Sequence, residues 1–130
     1  TLYVAETHTG RVFRWDVVGP GEVGNTAGLH GGGALLYGAP GEALFDSLAV
    51  DGAGNVCVAT LLSSGVSIIS PNGAHSPDGG VEFLHTGDPV TTNICFAGAE
   101  SSVAYITLSA TGQLVRCEWP VSGLSLPYGR

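Results

Sequence analysis

Leu44–Ile69, LFDSLAVDGAGNVCVATLLSSGVSII, decides the fold. An apolar run, Leu48-Ala49-Val50, is followed by a turn at Asp51-Gly52-Ala53-Gly54. A second run, Val56-Cys57-Val58-Ala59, leads through Ser63-Ser64-Gly65 into a third, Val66-Ser67-Ile68-Ile69. Short β-branched runs separated by Gly-bearing turns predict an antiparallel meander, because tight hairpin turns need the backbone freedom of glycine. Asp46, just ahead of the first run, is the most informative carboxylate.

Two other segments superimpose on this unit. Leu2-Tyr3-Val4-Ala5-Glu6, His8-Thr9-Gly10 and Val12-Phe13-Arg14-Trp15 form one copy. Ala104-Tyr105-Ile106-Thr107-Leu108, Ala110-Thr111-Gly112 and Leu114-Val115-Arg116-Cys117 form another. The copies start at positions 2, 56 and 104, a period near 50. Such a period built only from short strands points to an all-β fold, a β-propeller with one four-stranded sheet per repeat. The second and third copies carry an upstream strand, Ser47–Val50 and Asn93–Phe96, which the first lacks. Outer strands are expected at Ala34–Tyr37 and Val81–Leu84. The chain should therefore supply about two complete blades and part of a third.

A propeller sheet buries its faces only against neighbouring sheets. Blades on their own would expose apolar faces and aggregate or assemble with copies of themselves; a small sandwich is the all-β alternative that avoids this. Gly19–Gly33 reads as an irregular loop with no strand, either a surface connection or a flap. It has no lysine and no phosphate-loop pattern. Ser70-Pro71-Asn72-Gly73 is a turn by its chemistry, and Pro127-Tyr128-Gly129 a loose tail.

Composition supports the same class. Among 130 residues, 21 are glycine and only 12% are charged, which favours many turns and short strands over long helices. The one stretch worth testing for helix, Glu42-Ala43-Leu44-Phe45, is too short and follows Pro40-Gly41. A net charge of −7 with four basic residues, Arg11, Arg14, Arg116 and Arg130, argues against nucleic acid. Neutral or cationic ligands, small polar molecules or a divalent cation suit that charge better. No apolar run reaches the roughly 18 residues of a membrane span, so no membrane partner is expected, and no signal-peptide pattern appears. The chain opens in mid-strand at Thr1-Leu2-Tyr3-Val4-Ala5, as a piece of something longer would. Cys57, Cys95 and Cys117 are an odd number without C-x-x-C spacing, and read as buried reduced thiols of a cytoplasmic protein.

Three blocks, TLYVAETHTGRVFRWDV, FDSLAVDGAGNVCVAT and TTNICFAGAESSVAYITLSATGQLVR, occur in the order and spacing of one family. The chain resembles the senescence-marker-protein/gluconolactonase/luciferin-regenerating-enzyme family, which includes regucalcin. The resemblance implies a six-bladed propeller, a divalent metal on the central axis and hydrolysis of sugar lactones. It also implies that residues 1–130 are the C-terminal part of one such propeller domain, whose N-terminal blades are the missing partner. Of the family's metal ligands, the resemblance carries one to this chain, Asp46 of Phe45-Asp46-Ser47, where Phe and Ser replace the usual Pro and Gly. Pro71-Asn72-Gly73 has the letters of the family's asparagine block but follows a strand, so Asn72 takes no ligand role.

Residues at the start of each first strand converge on one end of a propeller's channel. Asp46 stands there by the repeat alignment, and Thr92-Asn93 at the corresponding place in the next blade. Carboxylate, amide and water oxygens suit Ca²⁺, while Zn²⁺ or Mn²⁺ are alternatives. Asp46 is thus expected as metal ligand and as proton acceptor in catalysis, with Thr92 and Asn93 touching the lactone. By residue type alone, Asp46 would merely cap a strand end. Asp51, in contrast, should hold its own turn. His8, His30, His75 and His85 show no metal-ligand spacing, and no G-x-S-x-G elbow exists. Lacking the family's other ligands, the 130-residue chain should itself be inactive. A non-catalytic calcium-binding or interaction propeller is the alternative function.

Overall fold

The computed structural model describes residues 1–24 and 32–127. His30, Tyr128 and Gly129 lie outside that range. Every regular element among the described residues is a strand. In chain order these are β1 (Leu2–Glu6), β2 (Arg11–Trp15), β3 (Val17–Gly19), β4 (Glu22–Val23), β5 (Ala34–Gly38) and β6 (Leu44–Val50). There follow β7 (Val56–Leu61), β8 (Gly65–Ile69), β9 (Val81–His85), β10 (Thr91–Phe96), β11 (Val103–Leu108) and β12 (Gln113–Glu118).

Three antiparallel sheets carry the fold: β1-β2-β5, β6-β7-β8-β9 and β10-β11-β12. They correspond to the three sequence copies and stack as successive blades. The register makes the repeat physical. Glu6 pairs with Arg11, Thr60 with Gly65 and Leu108 with Gln113, so each copy turns over the same four residues. In the first and third turns the last of the four is glycine, Gly10 at φ 59° and Gly112 at φ 67°. In the second it is Ser64, held at φ 62° without glycine's freedom.

Two apolar clusters join the sheets. Val56, Val58 and Ile69 of the middle sheet meet Val12 and Leu36 of the first, with Phe45 between them. Cys57 and Val66, on the other face, meet Ile94, Ala104 and Ile106 of the third. The middle sheet is therefore buried on both sides, and β7 is closed from Val56 to Thr60. This explains its continuous Val-Cys-Val-Ala run, where a half-exposed strand would alternate. Each fully buried valine contributes about 1.5–3 kcal/mol of hydrophobic stabilisation.

Three expectations need correction. The loop Gly19–Gly33 begins with strand structure: Val17–Gly19 and Glu22–Val23 form a two-stranded hairpin that closes at Gly21, φ 74°. Its residues are mostly exposed polar and valine side chains in runs too short for periodicity to reveal. Strand β6 also starts earlier than Ser47, at Leu44, which places Asp46 within the strand. The three thiols are free, but only Cys57 is buried; Cys95 is exposed and Cys117 half-buried.

Candidate functional site

β6 and β10 are the first strands of their sheets and lie side by side. Each carries the same irregularity. On β6, Phe45 pairs with Thr60 and Leu48 with Val58, three steps on one strand against two on the other. On β10, Thr91 pairs with Leu108 and Ile94 with Ile106, again three against two. One extra residue is thus inserted at the same point of both strands, a β-bulge that re-aims the side chains beside it. Asp46 and Thr92 are the first residues of the two bulges, Ser47 and Asn93 the second. Phe45 and Thr91, one position earlier, are fully buried and anchor them.

The structure therefore brings Asp46, Thr92 and Asn93 to equivalent places on neighbouring strands. All three lie at the end of the stack that carries the β7–β8 and β11–β12 turns. Asp46 is exposed and makes no side-chain hydrogen bond to any described residue, so the carboxylate is not spent on capping the strand. Asn93 is exposed as well. Thr92 Oγ1 lies 2.8 Å from Thr107 Oγ1 and 2.7 Å from Ser109 Oγ. These three hydroxyls hold three hydrogens and make two mutual bonds, so one O–H remains to donate outward whichever way the chain is oriented. Thr107 and Ser109 were not legible as partners, since the pairing that opposes β10 to β11 with a bulge sets them beside Thr92.

Asp46 offers an oxygen donor of the kind hard cations take. Among the described residues no three His, Cys, Asp or Glu side chains gather into a metal cluster. In donor chemistry the Asp46 carboxylate fits a divalent metal. Glu6 and His8 are both exposed, and Glu6 Oε2 accepts a 2.6 Å hydrogen bond from Thr9 Oγ1 within its own turn.

Asp51 is structural, as its turn chemistry indicates. Its Oδ1 accepts from the backbone N–H groups of Ala53 (3.0 Å) and Asn55 (2.9 Å). Its Oδ2 accepts from Asn55 Nδ2 (2.9 Å) and from Trp119 Nε1 (3.2 Å), the last across 68 positions of sequence. Asp88, which no sequence signal singled out, does the same at the opposite end. Its carboxylate accepts from Val90 N, Ala110 N, Thr111 N and Thr111 Oγ1, tying the loop before β10 to the β11–β12 turn. Desolvation pushes the Asp88 carboxyl up, but the Thr111 hydroxyl and the three backbone N–H groups together hold it below its ordinary value. A groove of about 780 Å³ runs between β9 and the end of β12, with Ile68, Phe83 and Trp119 among its walls. Asp46, Thr92 and Asn93 do not line it.

The family model described as SMP-30/Gluconolactonase/LRE-like region matches residues 1–110. The chain belongs to this family. No curated protein matches the chain. The matched region contains both bulges, so Asp46, Thr92 and Asn93 all fall inside the SMP-30/gluconolactonase/LRE-like region. The family's lactonase-like β-propeller character agrees with the stacked antiparallel sheets. No helix among the described residues is long and apolar enough to cross a membrane.

Proposed function

We propose that these blades form the C-terminal part of a single propeller domain that hydrolyses sugar lactones with a divalent metal, and that Asp46 is its contribution to the catalytic centre. The observation that carries this reading is the pair of matching bulges. They give an exposed carboxylate with no hydrogen-bond partner among the described residues, and a hydroxyl and an amide, equivalent places on neighbouring strands, inside a region that belongs to a lactonase-like family. A bound cation, calcium in the first place and zinc or manganese as alternatives, would polarise the lactone carbonyl and stabilise charge on its oxygen. Asp46 would hold that cation through one carboxylate oxygen. It also stands free to accept a proton from the attacking water. Thr92, accepting from the Thr107 and Ser109 hydroxyls, keeps its own O–H to donate to a sugar hydroxyl, and Asn93 supplies an amide to the same face. Free thiols at all three cysteines suit a reducing compartment such as the cytoplasm.

The test is Asp46→Asn in the propeller with all its blades. Because Asp46 bonds to no described side chain, thermal stability should stay within about 0.5 kcal/mol of the parent. Turnover of an aldonolactone should fall by about 100-fold or more, the scale of losing a group that acts on the transition state. Undiminished turnover sinks the assignment. The 130-residue chain alone should bind no metal tightly and hydrolyse no lactone. Tight calcium binding by the complete propeller without turnover would instead favour a non-catalytic role.

A further inference from the structure

Leu62, in the turn between β7 and β8, is held at φ 66°. The left-handed region crowds the Cβ of any L-residue, and a bulky side chain there is a true outlier. Among the described residues the only other non-glycine with positive φ is Ser64, two positions on in the same turn. His8 and Ala110 hold the place of Leu62 in the first and third turns, and neither takes this conformation. The Leu62 side chain gains little burial in return. It is 57% exposed, although the middle blade has a described sheet against each of its faces. Strain kept at an exposed apolar residue points to a use outside the core.

Backbone pairing brings this turn to the candidate site. Leu61 pairs with Leu44, two positions before Asp46 on β6. Leu62 N donates to the Pro89 carbonyl at 3.0 Å, and the next carbonyl, of Val90, accepts from Ser109 N at 2.9 Å. Ser109 Oγ in turn lies 2.7 Å from Thr92 Oγ1. Leu62, Pro89 and Val90 are all exposed, Val90 at 38%. They make an apolar lip between the start of β6 and the hydroxyls around Thr92.

We propose that this lip sets the substrate class of the site: a deoxy sugar lactone, whose terminal exocyclic carbon is a methyl rather than a hydroxymethyl group. The inference rests on the lactonase reading above. Thr92 and Asn93 supply the polar contacts to the sugar hydroxyls, and Leu62 and Val90 cover the methyl. A hydroxymethyl group in the same place would lose water from its hydroxyl and find no partner among three apolar side chains. An enclosed apolar pocket rejects an added hydroxyl by about 100-fold, and this lip is half open, so a preference of roughly fivefold to tenfold is expected.

The test compares kcat/KM, in the propeller with all its blades, for an aldonolactone and the counterpart that lacks only its terminal hydroxyl. The parent should favour the deoxy lactone by that factor. Leu62→Asn places in the lip a polar side chain that tolerates positive φ, so it should bring the ratio close to unity while melting no lower than the parent. Val90→Thr, nearly isosteric, should lower the ratio as well. An equal or inverted preference in the parent overturns the proposal and leaves the lactonase reading standing. So does a ratio that both variants leave unchanged. A Leu62→Asn protein that melts well below the parent overturns it too, since Leu62 would then serve the fold. A parent that turns over no aldonolactone at all removes the lactonase reading and the proposal with it.

Discussion

Replacing Asp51 by alanine removes the acceptor for four donors at once. Hydrogen bonds to a charged acceptor contribute about 1.5–3 kcal/mol each, and are not additive. The Ala53 N–H lies in an exposed turn and regains water when the carboxylate is gone. Trp119 does not, because its ring is 6% exposed and packs edge-on against Phe96 at 5.4 Å between centroids. Its indole N–H would be left buried and unpaired. Counting the indole and Asn55 fully, and the Ala53 bond at little, Asp51→Ala should cost about 3–5 kcal/mol. Asp51→Asn keeps one acceptor oxygen but turns an amide toward the donors on Asn55 and Trp119, and should cost about 2–3 kcal/mol. Urea unfolding with an unchanged slope measures both, and the alanine variant should melt roughly 10–20 °C lower. Trp119→Phe, which deletes the N–H and keeps the aromatic contact, should cost about 1 kcal/mol and couple non-additively with Asp51→Asn. Loss of less than about 1 kcal/mol in Asp51→Ala would falsify the view that this carboxylate joins the middle blade to the end of the third.

Other consequences are equally direct. Asp88 is held below its ordinary 3.8, so the stability it contributes is complete above that value and is lost as the pH falls through the lower folded value. Asp88→Asn should flatten this acid limb in urea midpoints measured below about pH 5, and an unchanged limb would count against the clamp. Ser64→Gly should stabilise the chain by up to about 1 kcal/mol, since the Gly10 and Gly112 positions show what the turn prefers; a loss of stability would refute the strain argument. Burial, reinforced by the nearby Asp51 charge, pushes the Cys57 thiol up to about 12. A thiol reagent at pH 8 should therefore label exposed Cys95 first and reach Cys57 only on unfolding, read by mass spectrometry of digested protein.

The candidate site was legible in the sequence only in part. Asp46 and Thr92-Asn93 were placed by alignment of repeats, and the paired bulges give that alignment a backbone cause. The hydroxyl partners Thr107 and Ser109 depend on the register between β10 and β11, which shifts by one residue at Thr92. Asp88 carried no motif at all, because three of its four donors lie 22 or 23 positions away.

The sequence by itself determined the strands of the three blades and their order, but neither the β3–β4 hairpin nor the start of β6. β-branched runs and Gly-bearing turns are local signals, and each acts within a few residues. The three copies also determined the stacking unit, since equal turns impose equal registers. Only the tertiary structure decided which faces are closed. Val66 and Leu114 occupy the same place in their copies, and one is sealed while the other is 68% exposed. Burial of a sheet face depends on what lies about 10 Å above it, and no local pattern carries that information. The same holds for Asp51 and Trp119, whose meeting is a consequence of how the third blade leans on the second.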